Sequence, residues 1–356
     1  MSDVRSSAVP DQPPPGGPSW RRPTRMDILD LVLSLLGGLV VLTLGAEFLV
    51  RGAVRLAEGL GVSPLLIGLT IVGFGTSTPE LVTSVQGALA GSPGIAVGNI
   101  VGSNLFNILV ILGIAAVVSP MAVPKGAIGR DGVLVIVTAA LFVAIGQVWT
   151  LDRAVGAVFL SLLAAYLAFA AMQERRAGPA TLARDKGEAL AAADPGLRPD
   201  HRGSGQGRAI LIALAGLVML VAGGRFFVTG SIELARMLGI SEAVIGLTVV
   251  AAGTSMPELA TSLVAAFRRQ ADVAIGNVLG SNIYNLLGIG GVTALISPTG
   301  IPAQIVRFDS PAMLAASVVL LAMLRTGRRL SRAEGAMLLA GYAAYLWWIW
   351  PAPGAV

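Results

Sequence analysis

Long apolar stretches, many close to twenty residues, alternate with short polar punctuation along most of the chain. A helix rising 1.5 Å per residue needs about 20 such residues to cross the hydrocarbon core of a bilayer. The pattern predicts ten spans, at 27–49, 62–88, 94–118, 131–148, 152–172, 208–229, 240–267, 272–297, 308–325 and 333–351. Residues 1–26, rich in Pro, Gly, Ser and Arg, are too polar to bury and read as a disordered tail ahead of a full-length span. One long polar linker, 173–207, divides the spans into two sets of five, 27–172 and 208–351, and 352–356 form a C-terminal tail. The predicted fold is an all-α polytopic membrane protein.

The two halves share a sequence. Gly68 to Ser84 reads GLTIVGFGTSTPELVTS, and Gly246 to Ser262 reads GLTVVAAGTSMPELATS, 178 residues later. At the same spacing, GNIVGSNLFN (Gly98 to Asn107) is matched by GNVLGSNIYN (Gly276 to Asn285), so the repeated motifs occupy 68–107 and 246–285. An odd number of spans per copy places the second copy upside down relative to the first. The expected architecture is therefore two inverted five-helix repeats, with broken helices at the membrane midplane.

Composition agrees with a lipid environment: 54% of residues are hydrophobic and 13% charged, and the mean hydropathy is +0.78. A pI near 10.2 would suggest nucleic acid for a soluble chain, but here Lys and Arg punctuate apolar runs and set topology. With both termini outside, the cytoplasmic segments collect most of the 25 Lys and Arg, among them Arg268, Arg269, Arg325, Arg328, Arg329 and Arg332. The linker then lies in the cytoplasm of a cell whose inner membrane holds the protein. There is no Cys, which excludes disulfides, thiolate metal sites and Cys nucleophiles.

The chemistry lies in the duplicated motif. Pro79 and Pro257 lack an N–H, and their rings collide with the carbonyl four residues back, freeing Gly75 and Gly253 from the helical ladder. Bare backbone inside a bilayer is tolerated only where protein or a polar cavity satisfies it, a role an ion can fill. Around the break stand Thr76, Ser77 and Glu80 in one copy and Thr254, Ser255 and Glu258 in the other, all oxygen donors. Oxygen-only donors suit hard cations such as calcium, which takes six to eight oxygens in irregular geometry. A lone Glu at mid-bilayer costs about 2.5 to 3.5 kcal/mol on insertion scales, so two at matched positions point to function rather than packing. In the second motif Ser103, Asn107, Ser281 and Asn285 add neutral oxygens among small residues that permit close helix approach.

These paired motifs, GTSTPE with GNIVGSN and GTSMPE with GNVLGSN, resemble the repeats of the calcium/cation antiporter superfamily, in particular its prokaryotic sodium/calcium exchangers. The resemblance runs from about residue 27 to 351. It implies that Glu80 and Glu258 bind both calcium and sodium, and that Thr76 and Thr254 offer backbone carbonyls to calcium. It further implies flanking sodium sites built from Gly73, Ala251, Ser77, Ser255, Ser103 and Ser281. Asn285 stands where several relatives carry Asp, which removes a titratable group from the site. The implied function is secondary antiport of sodium against calcium by alternating access, electrogenic, with the ions and the lipid bilayer as partners. No cofactor, nucleic acid or obligate protein partner is implied.

Three other classes share some of these features. A proton/calcium exchanger would use the same fold with Glu titration as the driver. A cation channel would need weaker binding than two buried acids offer. An intramembrane enzyme lacks its nucleophile and base, since there is no Cys and the single His lies in the linker.

Overall fold

The computed structural model describes residues 27–59, 73–123, 131–148, 150–177, 206–269 and 271–350. The N-terminal and C-terminal tails, most of the 173–207 linker and the opening of the first motif, 68–72, lie outside the described residues. Ten helical segments are present among those described: α1 (28–59), α2 (73–89), α3 (93–118), α4 (Gly132–Val148), α5 (Arg153–Ala177), α6 (Gln206–Leu238), α7 (242–267), α8 (271–296), α9 (305–325) and α10 (Arg332–Ile349). Six of them are long and apolar enough to cross a membrane as continuous helices, and α7 makes seven when its two parts are taken as one broken span.

Burial sorts centre from periphery. α3 and α8, which carry the buried Asn and Ser residues of the GNxxGSN motifs, have 89% and 72% of their membrane windows buried, whereas α1, α5 and α6 have only 22–28%. In a bilayer, a helix carrying polar residues belongs inside the bundle, where protein rather than lipid can satisfy them. The two helices carrying the GNxxGSN motifs thus form the middle of the molecule, and helices with many exposed Leu, Val and Phe wrap it, as a lipid-facing surface requires. Trp347, Trp348 and Trp350 are 80%, 65% and 47% exposed at the end of α10, consistent with an interfacial belt.

Glycine sets the closest contacts. Gly38, Gly45 and Gly52 on α1 recur as Gly216, Gly223 and Gly230 on α6, each pair 178 residues apart. A Cβ built on Gly45 would stand 2.7 Å from the Leu220 amide nitrogen and 3.0 Å from the Gly216 carbonyl oxygen. On Gly223 it would stand 2.6 Å from the Leu42 nitrogen. The two helices meet backbone to backbone, a contact only residues without side chains allow. The same device joins α3 to the first part of α7: a Cβ on Gly98 would come within 3.0 Å of the Ala243 carbonyl oxygen and of the Gly246 Cα. The glycines of the first GNxxGSN motif therefore admit the broken helix of the other copy.

Short connections close the ends. Met121–Ala122 pairs antiparallel with Arg329–Leu330, and a similar isolated bridge joins Leu151 to Thr299. The helices that follow begin alike, α10 with a capping box of Ser331 and Glu334 and α5 with Asp152 accepting from the Val155 N–H at 2.9 Å.

Candidate cation site

The motif breaks its helix in the same way in both copies. Ser77 (φ −86°, ψ 11°) and Ser255 (φ −84°, ψ 12°) leave helical geometry at the junction. Thr78–Leu89 and Met256–Phe267 then restart with Pro79 and Pro257 in the first turn, where a missing N–H costs nothing. The two parts of α7 are bent by 49°. Glu80 and Glu258 fall in the first turn of the restarted helices, at the end where unpaired N–H groups favour negative charge. Both are 1% exposed.

Each acid is held by the other copy. The Ser77 hydroxyl donates to Oε1 of Glu258 at 2.8 Å, and the Ser255 hydroxyl donates to Oε1 of Glu80 at 2.9 Å. Asparagines pin the restarted helices from behind. Asn99 donates to the Glu80 carbonyl at 3.0 Å and to Ser84 Oγ at 2.8 Å. Asn277 does the same with the Glu258 carbonyl at 3.4 Å and Ser262 Oγ at 3.0 Å.

What remains unpartnered defines the site's chemistry. Oε2 of Glu80, Oε2 of Glu258, Thr76 Oγ1, Asn107 Oδ1, Ser281 Oγ and both amide atoms of Asn285 are buried without a hydrogen-bond partner among the described residues. Buried polar atoms in native proteins are nearly always satisfied, and an orphaned carboxylate oxygen in a bilayer is the costliest exception. Six of these atoms are oxygens, and they come from both copies. This donor set fits a hard cation of the calcium or sodium class.

The copies also differ. Thr254 donates to Asn99 Oδ1 at 3.0 Å, while its counterpart Thr76 has no such bond. Asn107 donates to Asn282 Oδ1 at 3.1 Å, while the Asn285 side chain has no partner among the described residues and Asn104 turns to the Ile100 carbonyl of its own helix at 2.7 Å. Ser103 reaches Asn99 Oδ1 at 3.5 Å. The Ala251 carbonyl accepts both the Ser255 N–H at 3.1 Å and the Thr254 hydroxyl at 3.4 Å. Gly73 is the first described residue of α2, and Gly75 and Gly253 sit beside Val50 and Phe227 respectively.

Several participants escaped the sequence reading. Ser84 and Ser262 lie one turn beyond the acids inside the repeated motif, so their recurrence was the available signal. Phe74 stacks on Tyr284 with ring centroids 4.2 Å apart and 14° between planes; the matched positions hold Ala252 and Phe106, so the repeat gave no hint. Asp309, fully buried, accepts a 3.0 Å hydrogen bond from Tyr345. Asn107 opens the π turn Asn107–Ile111 and Asn285 lies in the matching Tyr284–Ile289, a helical irregularity frequent at functional sites.

Two segments, 31–172 and 208–350, each match the family described as "Sodium/calcium exchanger protein". The chain belongs to the sodium/calcium exchanger family. It is 34% identical to the sodium/calcium exchanger MaX1 of Methanosarcina acetivorans, over 88% of this chain and 97% of that protein. It is 33% identical to the inner membrane protein YrbG of Escherichia coli, over 89% and 97%. Among solved structures it resembles the sodium-calcium exchanger NCX_Mj, with a TM-score of 0.58, 30% identity and coverage of 92% of this chain and all of that one. This exchanger-family chain is an integral membrane protein of many helices.

Proposed function

We propose that the chain exchanges sodium for calcium across the membrane by alternating access at one shared site. The observation that carries this reading is the pair of buried acids, each cross-held by one serine of the other copy and each left with an open oxygen. Two ionised glutamates carry −2, which one calcium neutralises. Sodium ions competing for the same oxygens replace it in greater number, and that competition is the coupling. Glu80, Glu258, Thr76 and Thr254 serve calcium, and Ser77, Ser255, Ser103, Ser281, Asn107, Asn285, Gly73 and Ala251 complete the flanking sodium sites. The reciprocal hydrogen bonds and the matched glycines support ten spans in two inverted five-helix repeats. The placing of Lys and Arg supports external termini and a cytoplasmic linker in the cell membrane.

Energetics favour unequal exchange. Moving one calcium out against a 10⁴-fold gradient and 100 mV takes roughly 10 kcal/mol, while one sodium entering down a tenfold gradient returns roughly 3.7 kcal/mol. Three sodium ions suffice and two do not, so exchange moves net charge.

The test is uptake of radioactive calcium into sodium-loaded proteoliposomes, with potassium-loaded vesicles and Glu80→Gln as controls. Uptake that needs internal sodium and disappears in the variant supports the proposal. Uptake that ignores sodium and follows a pH gradient replaces it with proton/calcium exchange.

A further inference from the structure

A cleft of about 530 Å³ opens at the end of α3, away from the cation site. It lies between the Met121–Ala122 strand, the turn joining α7 to α8, and the start of α10, and its wall carries Arg269, Arg329 and Arg332. All three are exposed, and among the described residues no carboxylate forms an ion pair with any of them. We propose that this cleft binds the phosphate headgroup of an anionic phospholipid.

Two features set the cleft apart from arginines that merely mark the cytoplasmic face. Arg269 has φ +60°, in the left-handed region, and its counterpart in the first copy is Gly91 with φ +72°. Glycine takes that conformation freely and arginine does not, so the second copy keeps a guanidinium at a strained turn where the first shows glycine serving. Arg332 is fixed, its Nε donating to the Val117 carbonyl at 3.0 Å, and its remaining donors are available to a second acceptor. In the first copy Arg153 repeats that bond, to the Leu295 carbonyl at 3.3 Å. There, however, Thr150 precedes the bridging Leu151 where Arg329 precedes Leu330, and Gly91 replaces Arg269. Three arginines therefore converge in one copy only.

The ligand class follows from the surroundings. Three guanidinium groups at one cleft, none with a carboxylate partner among the described residues, match a phosphate, which arginine binds through paired donors. Phe267, 70% exposed, lines the same cleft and offers an acyl chain an apolar contact beside the charged wall. A basic pocket between helix ends at the membrane surface is where an anionic headgroup would lie.

The intact protein, purified in detergent with mixed phosphatidylglycerol and phosphatidylcholine, is examined by native mass spectrometry. Wild type is expected to retain phosphatidylglycerol selectively. R269G, which installs the residue the first copy uses at the same turn, lowers that affinity about fivefold, and R269G/R329T by about twenty-fivefold. R208A, which removes an exposed arginine outside the cleft, leaves it unchanged. Retention by R269G/R329T equal to wild type overturns the proposal. So does an equal loss in R208A, which would mark diffuse charge. Inorganic phosphate that binds as tightly as phosphatidylglycerol would overturn the lipid assignment in favour of a soluble anion.

Discussion

Ser77 and Glu258 are 181 residues apart in sequence, yet the serine hydroxyl meets the carboxylate at 2.8 Å, and Ser255 meets Glu80 at 2.9 Å in the same way. Contacts that pair i with j, and the counterpart of j with the counterpart of i, are those of a self-complementary two-fold interface. Here that interface is the site. Each acid owes one hydrogen bond to the opposite copy and keeps one oxygen for something else.

Ser77→Ala and Ser255→Ala should therefore act alike. Each removes a hydrogen bond to a charged group, worth about 1.5–3 kcal/mol. We expect calcium to bind roughly tenfold more weakly in either variant, and the double variant to deviate from additivity because the two bonds share a site. Isothermal titration of calcium into the purified variants checks both statements, and a clear inequality between the single variants would argue against a shared, symmetric site.

Asn285→Asp adds a third negative charge where an amide now has no partner. One calcium would no longer neutralise the site, so calcium uptake should come to depend on a monovalent cation bound alongside it. Uptake assayed with and without potassium, at fixed sodium, reads the change directly.

Gly45→Leu should destabilise the molecule, since even its Cβ would stand 2.7 Å from the Leu220 nitrogen. Overpacking of this kind costs about 1–3 kcal/mol or more. Gly37→Ala, on the same helix with nothing within 4 Å of the added Cβ, should leave the melting temperature unchanged or slightly raised. Melting curves of the two detergent-purified variants separate a backbone contact from a general intolerance of substitution on α1.

Phe74→Ala removes the stack on Tyr284, an interaction of about 0.5–1.5 kcal/mol beyond area. Tyr284→Phe keeps the ring. We expect calcium release to quicken severalfold in the first variant and to stay near the wild-type rate in the second, measured by stopped flow with a calcium indicator.

The candidate site was legible because the chain says it twice. An acid inside one apolar run is an oddity, and the same acid followed by the same serine and preceded by the same proline 178 residues later is a pattern. The crossing of partners was not legible. Nothing local to Glu80 indicates that its hydroxyl donor is Ser255 rather than Ser77, since both serines stand three residues before an acid and only packing chooses. The π turns at Asn107 and Tyr284 were equally hidden, being products of tertiary fit in stretches whose composition is ordinary for a membrane helix. Phe74 and Tyr284 escaped for the opposite reason: they are where the copies disagree, and a search for recurrence discards disagreement.

That disagreement makes the two halves inequivalent. In the proposed inverted arrangement, a centre built from two equivalent halves would look the same from either side of the membrane, so the serines and glutamates alone would carry no arrow. Phe74 stacks on Tyr284 as a pair of rings, whereas the matched positions hold a methyl group, Ala252, and a single ring, Phe106. In that arrangement inside and outside would become different places, for this chain, at the few positions where the second copy has departed from the first.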